Sequence, residues 1–378
     1  MPRLLIASDK FKGSLTAAEV AAAVGDGVRR VVPDAVVLAA PVADGGDGTL
    51  AAAQSAGFDL VPVTVAGPTG APVRTAYARR GDLAVVELAD AAGLMRLPGG
   101  PDPMRASSRG AGEVLAAAVD AGCRQVVLGI GGSASTDGGA GLLRGLGARL
   151  LTAAGEEAGD GGGELGRVTR LELGALRARL DGVRVTVACD VDNPLTGPRG
   201  AAAVYGPQKG ADPDQVRRLD AALVHWADLL ATTTGTDVRD RPGAGAAGGV
   251  GFAALAVMGA ELRSGIELVL ELIGFDDRLA GVDLVVTGEG ALDEQTLHGK
   301  APAGVAAAAG RVGVPVVAVC GVNRLDPARL RTAGIGAAYA LADIEPDPER
   351  CLRDAAPLLE RLGERIAAGH LVPTKENA

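Results

Sequence analysis

Runs rich in Val, Ile and Leu alternate with Ala-rich stretches at both ends of the chain, and this alternation restricts the possible folds more than any other feature. RLLIASD is followed by a helical stretch from Ala17 to Val31, then by AVVLAAPV and a second helix after DGGDGT. The rhythm returns as VDLVVTGEG, a helix after KAPAGVAAAA, VPVVAVCGV, and a last helix between about Pro348 and Ala368. Strands joined by helices predict a parallel sheet covered on both faces. Between these ends, FDLVPVTVAGP, VRTAYARR and LAVVELAD are separated only by short Gly/Pro turns, which predicts antiparallel pairing. A helix around Ala111 to Ala121, the strand QVVLGIGG, another helix, the strand VRVTVACD and a long helix from about Pro213 to Ala231 complete the middle. Asp212 is placed as the N-cap of that long helix, with Pro213 in its first turn and Gln215 at capping-box spacing. The expected layout is a discontinuous parallel-sheet α/β domain, residues 1–62 and 264–378, carrying a mixed α/β domain over residues 63–263. AAGEEAGDGGGELG, residues 153–166, is expected to be an exposed loop of the inserted domain.

A chain of 378 residues is long enough for two domains. Aromatic residues make up only 2% of it, so the core must be built from closely packed Ala, Val and Leu. A net charge of −9, with no dense Lys/Arg run and few aromatics to stack on bases, argues against nucleic-acid binding. The 4 cysteines contain no C-x-x-C pair and the 3 histidines are scattered, which argues against zinc and against a disulfide framework. The apolar start is shorter than a signal-peptide core, and the longest apolar stretch, near Ala301 to Val322, is interrupted by Arg311; the expectation is a cytoplasmic protein without a membrane span.

Five segments share one design, in which a strand end runs into a Gly-rich loop bearing a carboxylate, a lysine or a hydroxyl. They are SDKFKGSLTAAE, VADGGDGT, IGGSASTDGG, CDVDNPLTG and TGEGALDEQTLHGK. Ligands of open α/β sheets bind at strand C-termini. In the first segment Thr16 and Glu19 have capping-box spacing, which sets Lys12, Gly13 and Ser14 against a helix N-terminus, where anions are favoured. The second places Asp44 and Asp47 among glycines. Two carboxylates beside a phosphate repel it by about 4 kcal/mol per pair at 4 Å and an effective dielectric near 20, unless a cation or a transferable proton reverses the sign. In the third, Gly129, Gly131 and Ala134 match the G-x-G-x-x-A dinucleotide spacing. The acidic partner expected about twenty residues on is not convincingly present, and amides around Ser133 would cradle phosphate on either reading. The fifth gathers Glu289, Asp293, Lys300 and His298 but lacks P-loop spacing, and His298 alone reads as structural. Anion donors and carboxylates without a histidine or cysteine constellation suit phosphoryl transfer, which needs positioning, charge neutralisation and a carboxylate to deprotonate the attacking hydroxyl.

In order and along nearly the whole chain, SDKFKGSLTA, VADGGDGT, GGSASTDGG, CDVDNPLTGPRGAAAVYGPQKGA and TGEGALDEQTLHGKAPAGV resemble the glycerate kinase family of the bacterial glycerate 2-kinase type. The resemblance implies a flavodoxin-like α/β domain with a large inserted α/β domain and an active-site cleft between them. It also implies ATP- and Mg²⁺-dependent phosphorylation of D-glycerate, most directly at the 2-hydroxyl; the alternatives are 3-phosphoglycerate formation and, from the Gly129 loop, an NAD-dependent oxidoreductase, and a monomer or homodimer is expected. On the matching positions, Asp190 is expected as the base and Lys12 as a second catalytic group. Ser14, Asp44, Gly45, Gly46, Asp47, Gly131, Gly132, Ser133, Glu289, Asp293 and Lys300 would bind substrate or phosphate, and Asp192 and Asp137 would be metal ligands. Asp47 is one methylene shorter than the Glu common there, and Ala291 stands where an Arg is common. Spacing alone does not divide base from metal helper between Asp190 and Asp192.

Overall fold

The computed structural model describes residues 1–297 and 299–372. They cluster into two compact units: Met1–Asp44 with Ala51–Ala56 and the chain from Gly265 onward, and Gly45–Leu50 with Gly57–Ser264. His298 lies outside the described residues.

The first unit holds a five-stranded sheet in the order Ala337–Ala340, Val316–Asn323, Leu284–Leu292, Arg3–Ser8, Val36–Ala39, and every pairing is parallel. Numbered along the chain within the unit, this is the 2-1-3-4-5 order of flavodoxin-like sheets. Period-2 alternation sends Leu5, Ala7, Val285 and Ala318 to one apolar cluster and Leu4, Ile6, Val286 and Val319 to another, so both faces are buried. Helices Ala17–Val31 and Ala355–His370 cover the second face. They approach so closely that a β-carbon on Gly27 would lie 1.9 Å from Glu360 O. Ala17–Val31 starts where the sequence predicts, with Thr16 Oγ1 accepting from Glu19 N at 3.3 Å and Glu19 Oε2 accepting from Thr16 N at 2.8 Å. The last helix is interrupted instead of continuous: Pro348–Arg353 and Ala355–His370 meet at Asp354, whose φ of −106° and ψ of 27° leave the helical region.

The second unit has a six-stranded sheet ordered Glu261–Arg263, Arg184–Ala188, Gln125–Gly129, Leu83–Glu87, Pro72–Arg80, Asp59–Ala66. The last two pairings are antiparallel and the others parallel, as the short turns and the later helices respectively require. Asp59–Ala66 is one continuous strand of this unit, so a division after residue 62 would cut it. Helix Pro213–Thr234 carries the Asp212/Gln215 capping box, and its fully buried Trp226 donates Nε1–H to Gly138 O at 3.0 Å. Segment 153–166 is continuously exposed from Ala153 to Glu157, and beyond that only Gly159 and Gly166 are exposed. Its second half folds back because Ala158 and Leu165 join the core and Arg144 Nη1 donates to Ala158 O and Asp160 Oδ1, both at 2.8 Å. Among the described residues no helix is long and apolar enough to cross a membrane.

Candidate active site

In the first unit, strands Arg3–Ser8 and Leu284–Leu292 flank the point where the strand order reverses, the position where open α/β sheets form a binding crevice. Their C-terminal loops lie together: Asp9 N donates to Gly288 O at 2.9 Å, and a β-carbon on Gly290 would sit 3.7 Å from Lys12 N. Asp9 was not singled out from the sequence, although it ends a buried strand in the manner used to single out Asp190. Burial pushes its carboxyl up to about 7, opposed by Lys10 and reinforced by Asp44 and Glu289. Glu289 is also raised by burial; its Oε1 accepts from Thr296 Oγ1 at 2.6 Å and its Oε2 lies 3.5 Å from Lys300 Nζ. Lys300 is therefore an ion-paired residue at the N-cap of helix Ala301–Arg311. Asp293 accepts from Gln295 N at 2.9 Å and serves as a turn cap. Lys12 is exposed. Ser14 departs from its expected role as an anion donor, because its hydroxyl donates to Leu352 O at 2.6 Å and its proton is already engaged.

In the second unit, the Gly45–Leu50 segment packs backbone to backbone on the loop after strand Gln125–Gly129. Gly45 O accepts from Gly131 N at 3.3 Å, and a β-carbon on Gly131 would meet Gly46 Cα at 2.6 Å. This close approach, and not a dinucleotide, accounts for Gly129 and Gly131, since Gly129 likewise leaves only 2.6 Å to Gly45 O. Thr49 Oγ1 donates to Gly46 O at 2.7 Å. Glu87 was missed in the apolar run LAVVE. Its Oε2 accepts from Gly48 N at 3.2 Å and Leu50 N at 2.9 Å, and burial, with Asp47 adding charge, raises its pKa to about 7.

Asp137 is not placed to hold a metal. It is fully buried and accepts from Ser108 N at 2.8 Å, Ser108 Oγ at 2.9 Å, and Gly139 N and Gly141 N at 3.2 Å each. Four donors occupy the lone pairs that a cation would need. Beside this knot lies Lys209, which no sequence signal distinguished within YGPQKGA. It is 2% exposed, with Nζ donating to Ser133 Oγ at 2.8 Å and Ser135 O at 2.5 Å. Burial lowers its pKa to about 8, with Asp137 opposing. Ser133 itself is 5% exposed, and Gly132 turns the chain there at a φ of +74°.

Strand Arg184–Ala188 stops two residues before Asp190, and Asp190 and Asp192 both lie in an exposed loop. Asp192 lies 3.3 Å from Arg199 Nη2 in an ion pair whose side chains are largely exposed. Order in that loop comes from Asn193, whose Nδ2 donates to Arg199 O at 2.8 Å while its Oδ1 accepts from Tyr205 OH at 2.6 Å. Among the described residues no cluster of three or more His, Cys, Asp or Glu side chains could hold a metal ion by itself. A Mg²⁺ that arrives on nucleotide phosphates asks less of the protein, usually one or two carboxylates.

The model of the glycerate kinase family matches residues 4–370. The chain is 44% identical over 370 residues to the glycerate kinase of Bacillus subtilis (strain 168), covering 97% of each. It is 40% identical over 371 residues to the glycerate 2-kinase of Escherichia coli (strain K12), again covering 97% of each. The crystal structure of a protein assigned as glycerate kinase 2 from Salmonella typhimurium LT2 superposes with a TM-score of 0.82 at 42% identity, covering 97% of this chain and 98% of that one.

Proposed function

The chain belongs to the glycerate kinase family, a family of phosphotransferases with ATP as donor and an alcohol as acceptor, and we propose that it phosphorylates D-glycerate at the 2-hydroxyl to give 2-phosphoglycerate. The observation that carries this reading is the 40% identity, over 97% of both chains, to a glycerate 2-kinase.

The attacking hydroxyl oxygen forms the new P–O bond as the bond from the γ-phosphorus to ADP breaks, and the hydroxyl proton passes to a carboxylate. Asp190 is assigned this base role, and its exposure supports access to substrate. Lys12, exposed beside the crevice of the first unit, supplies positive charge to a phosphate or carboxylate. Lys300, held against Glu289, supplies a second positive charge, oriented by the pairing. The amides of Gly45 and Gly132 offer donors of the kind that cradle phosphate, while Gly131 N is already engaged with Gly45 O and holds the two loops together. Asp44 and Asp47 face the same chemistry as carboxylates that need a cation or a proton beside phosphate.

Mg²⁺, when bound with the nucleotide, neutralises charge on the transferring phosphate. Of the two residues read as metal ligands, Asp192 fits and Asp137 does not, because the exposed Asp192–Arg199 pair is worth on the order of 0–1 kcal/mol and is readily exchanged.

The test is an assay of the purified protein with ATP, Mg²⁺ and D-glycerate, with the product isomer identified by ³¹P NMR. 2-Phosphoglycerate is expected. 3-Phosphoglycerate would overturn the regiochemistry, and no glycerate-dependent ATP consumption would overturn the kinase reading. Within an active enzyme, Asp190→Asn is expected to lower kcat by about 10²–10⁴-fold; a few-fold change would remove Asp190 from the base role.

A further inference from the structure

A lysine is almost never fully buried without partners, so the ammonium of Lys209 demands an account. Both of its recorded hydrogen bonds go to the glycine-rich loop, at Ser133 Oγ and Ser135 O. An ammonium carries only donors, so Ser133 Oγ is the acceptor in their contact. The serine hydroxyl then keeps its one proton for another acceptor, and among the described residues its Oγ has no such partner. The same loop carries two more hydroxyls, Ser135 Oγ and Thr136 Oγ1, that are buried without hydrogen-bond partners. Buried hydroxyls left unpaired are rare, and they point to a group that completes them.

We propose that Lys209 is a positioning residue that commits Ser133 to donate its hydroxyl proton to a substrate oxyanion. That oxyanion is either a phosphate oxygen of ATP or the carboxylate of glycerate. The inference rests on the kinase reading for the identity of the ligand but not for the geometry. An ammonium behind the serine also polarises its O–H bond, and hydrogen bonds to charged groups are stronger than neutral ones. The competing account is that Lys209 only offsets Asp137 and braces the loop. On that account its removal acts independently of Ser133.

A double-mutant cycle separates the two. Ser133→Ala is expected to raise the KM of one substrate about tenfold or more, and the substrate affected identifies the oxyanion. Lys209→Met should raise the same KM, Lys209→Arg should recover part of the loss, and Lys209→Met should add less than twofold once residue 133 is alanine. Equal effects of Lys209→Met in both backgrounds, or a Ser133→Ala enzyme with both KM values within twofold of wild type, would overturn the proposal. If Lys209→Met does not fold, the ¹⁵N resonance of Lys209 Nζ reads the same coupling: saturating ATP or glycerate should move it in the wild type and leave it still in Ser133→Ala. Movement in both proteins, or in neither, is the contrary result. Calorimetric titration with ATP and with glycerate runs the cycle without turnover. A wild type that consumes no ATP would then refute the kinase reading alone, while absent coupling in an active enzyme would refute this proposal alone.

Discussion

In the parallel-sheet unit, Asp9 and Glu289 sit on neighbouring strands as partly buried carboxylates with few donors, and desolvation raises both. In the mixed unit, Asp137 is buried more deeply still but gathers four hydrogen bonds, with the Lys209 ammonium close enough to act on it. Both came from the same sequence signature, a strand running into a glycine-rich acidic loop. The difference is donor supply. A carboxylate with its lone pairs filled has become part of the framework, whereas one with lone pairs to spare keeps the capacity to act on a ligand.

The contrast breaks first at Asp137. Asp137→Ala should destabilise the protein by about 4 kcal/mol in urea unfolding, since it orphans buried donors and leaves Lys209 without its nearest counter-charge. The Mg²⁺ dependence of the residual folded enzyme should be unchanged. A mild variant with altered Mg²⁺ dependence would return Asp137 to the metal role.

Asp9 and Lys209 should also differ in the sign of their pH response, with Glu87 in the mixed unit following Asp9. Asp9 is raised from 3.8 to about 7, so the stability it contributes is complete below its ordinary value and is lost as pH rises through about 7. Lys209 is lowered from 10.5 to about 8, so its contribution is complete above its ordinary value and is lost as pH falls through about 8. Asp9→Asn should therefore stabilise the protein by about 3 kcal/mol near pH 8 and by almost nothing below pH 4, as urea unfolding at the two pH values would report. A gain independent of pH would mean that the substitution acts through packing.

Gly131→Ala sharpens the comparison within the mixed unit. Its β-carbon would fall 2.6 Å from Gly46 Cα, so the expected cost is about 2 kcal/mol together with impaired substrate binding, read from Tm and KM. The smallest effect is expected at Ser14. Ser14→Ala removes the bond to Leu352 O and should cost about 1 kcal/mol of stability while leaving both KM values unchanged.

Much of the fold was legible because it depends on local periodicity. Helix Ala17–Val31 and the capping box at Asp212 follow from patterns a few residues long, and the structure reproduces both. Less visible were Ala337–Ala340, a short edge strand in an Ala/Gly-rich stretch, and the hairpin of Arg149–Thr152 with Val168–Glu172. In both cases pairing with distant chain, not intrinsic strand preference, makes the strand. The site was legible in its loops but not in its roles. Lys300 looked like an anion ligand and is also the ion-pair partner of Glu289, and Ser14 looked like a phosphate donor and ties the chain to Leu352. Asp9 and Lys209 lie inside segments that carry the family resemblance without standing out from them, and Glu87 lies in no motif at all.

By itself the sequence determined the alternation of strands and helices, the family, and which loops would carry polar groups at strand ends. Those properties are written in residue types and short spacings. Only the tertiary structure decided which of the polar groups are saturated and which keep capacity for a ligand. That depends on how many donors the rest of the chain delivers to each buried oxygen, and the donors arrive from positions such as Ser108 on Asp137 and Lys209 on Ser133, 29 and 76 residues away.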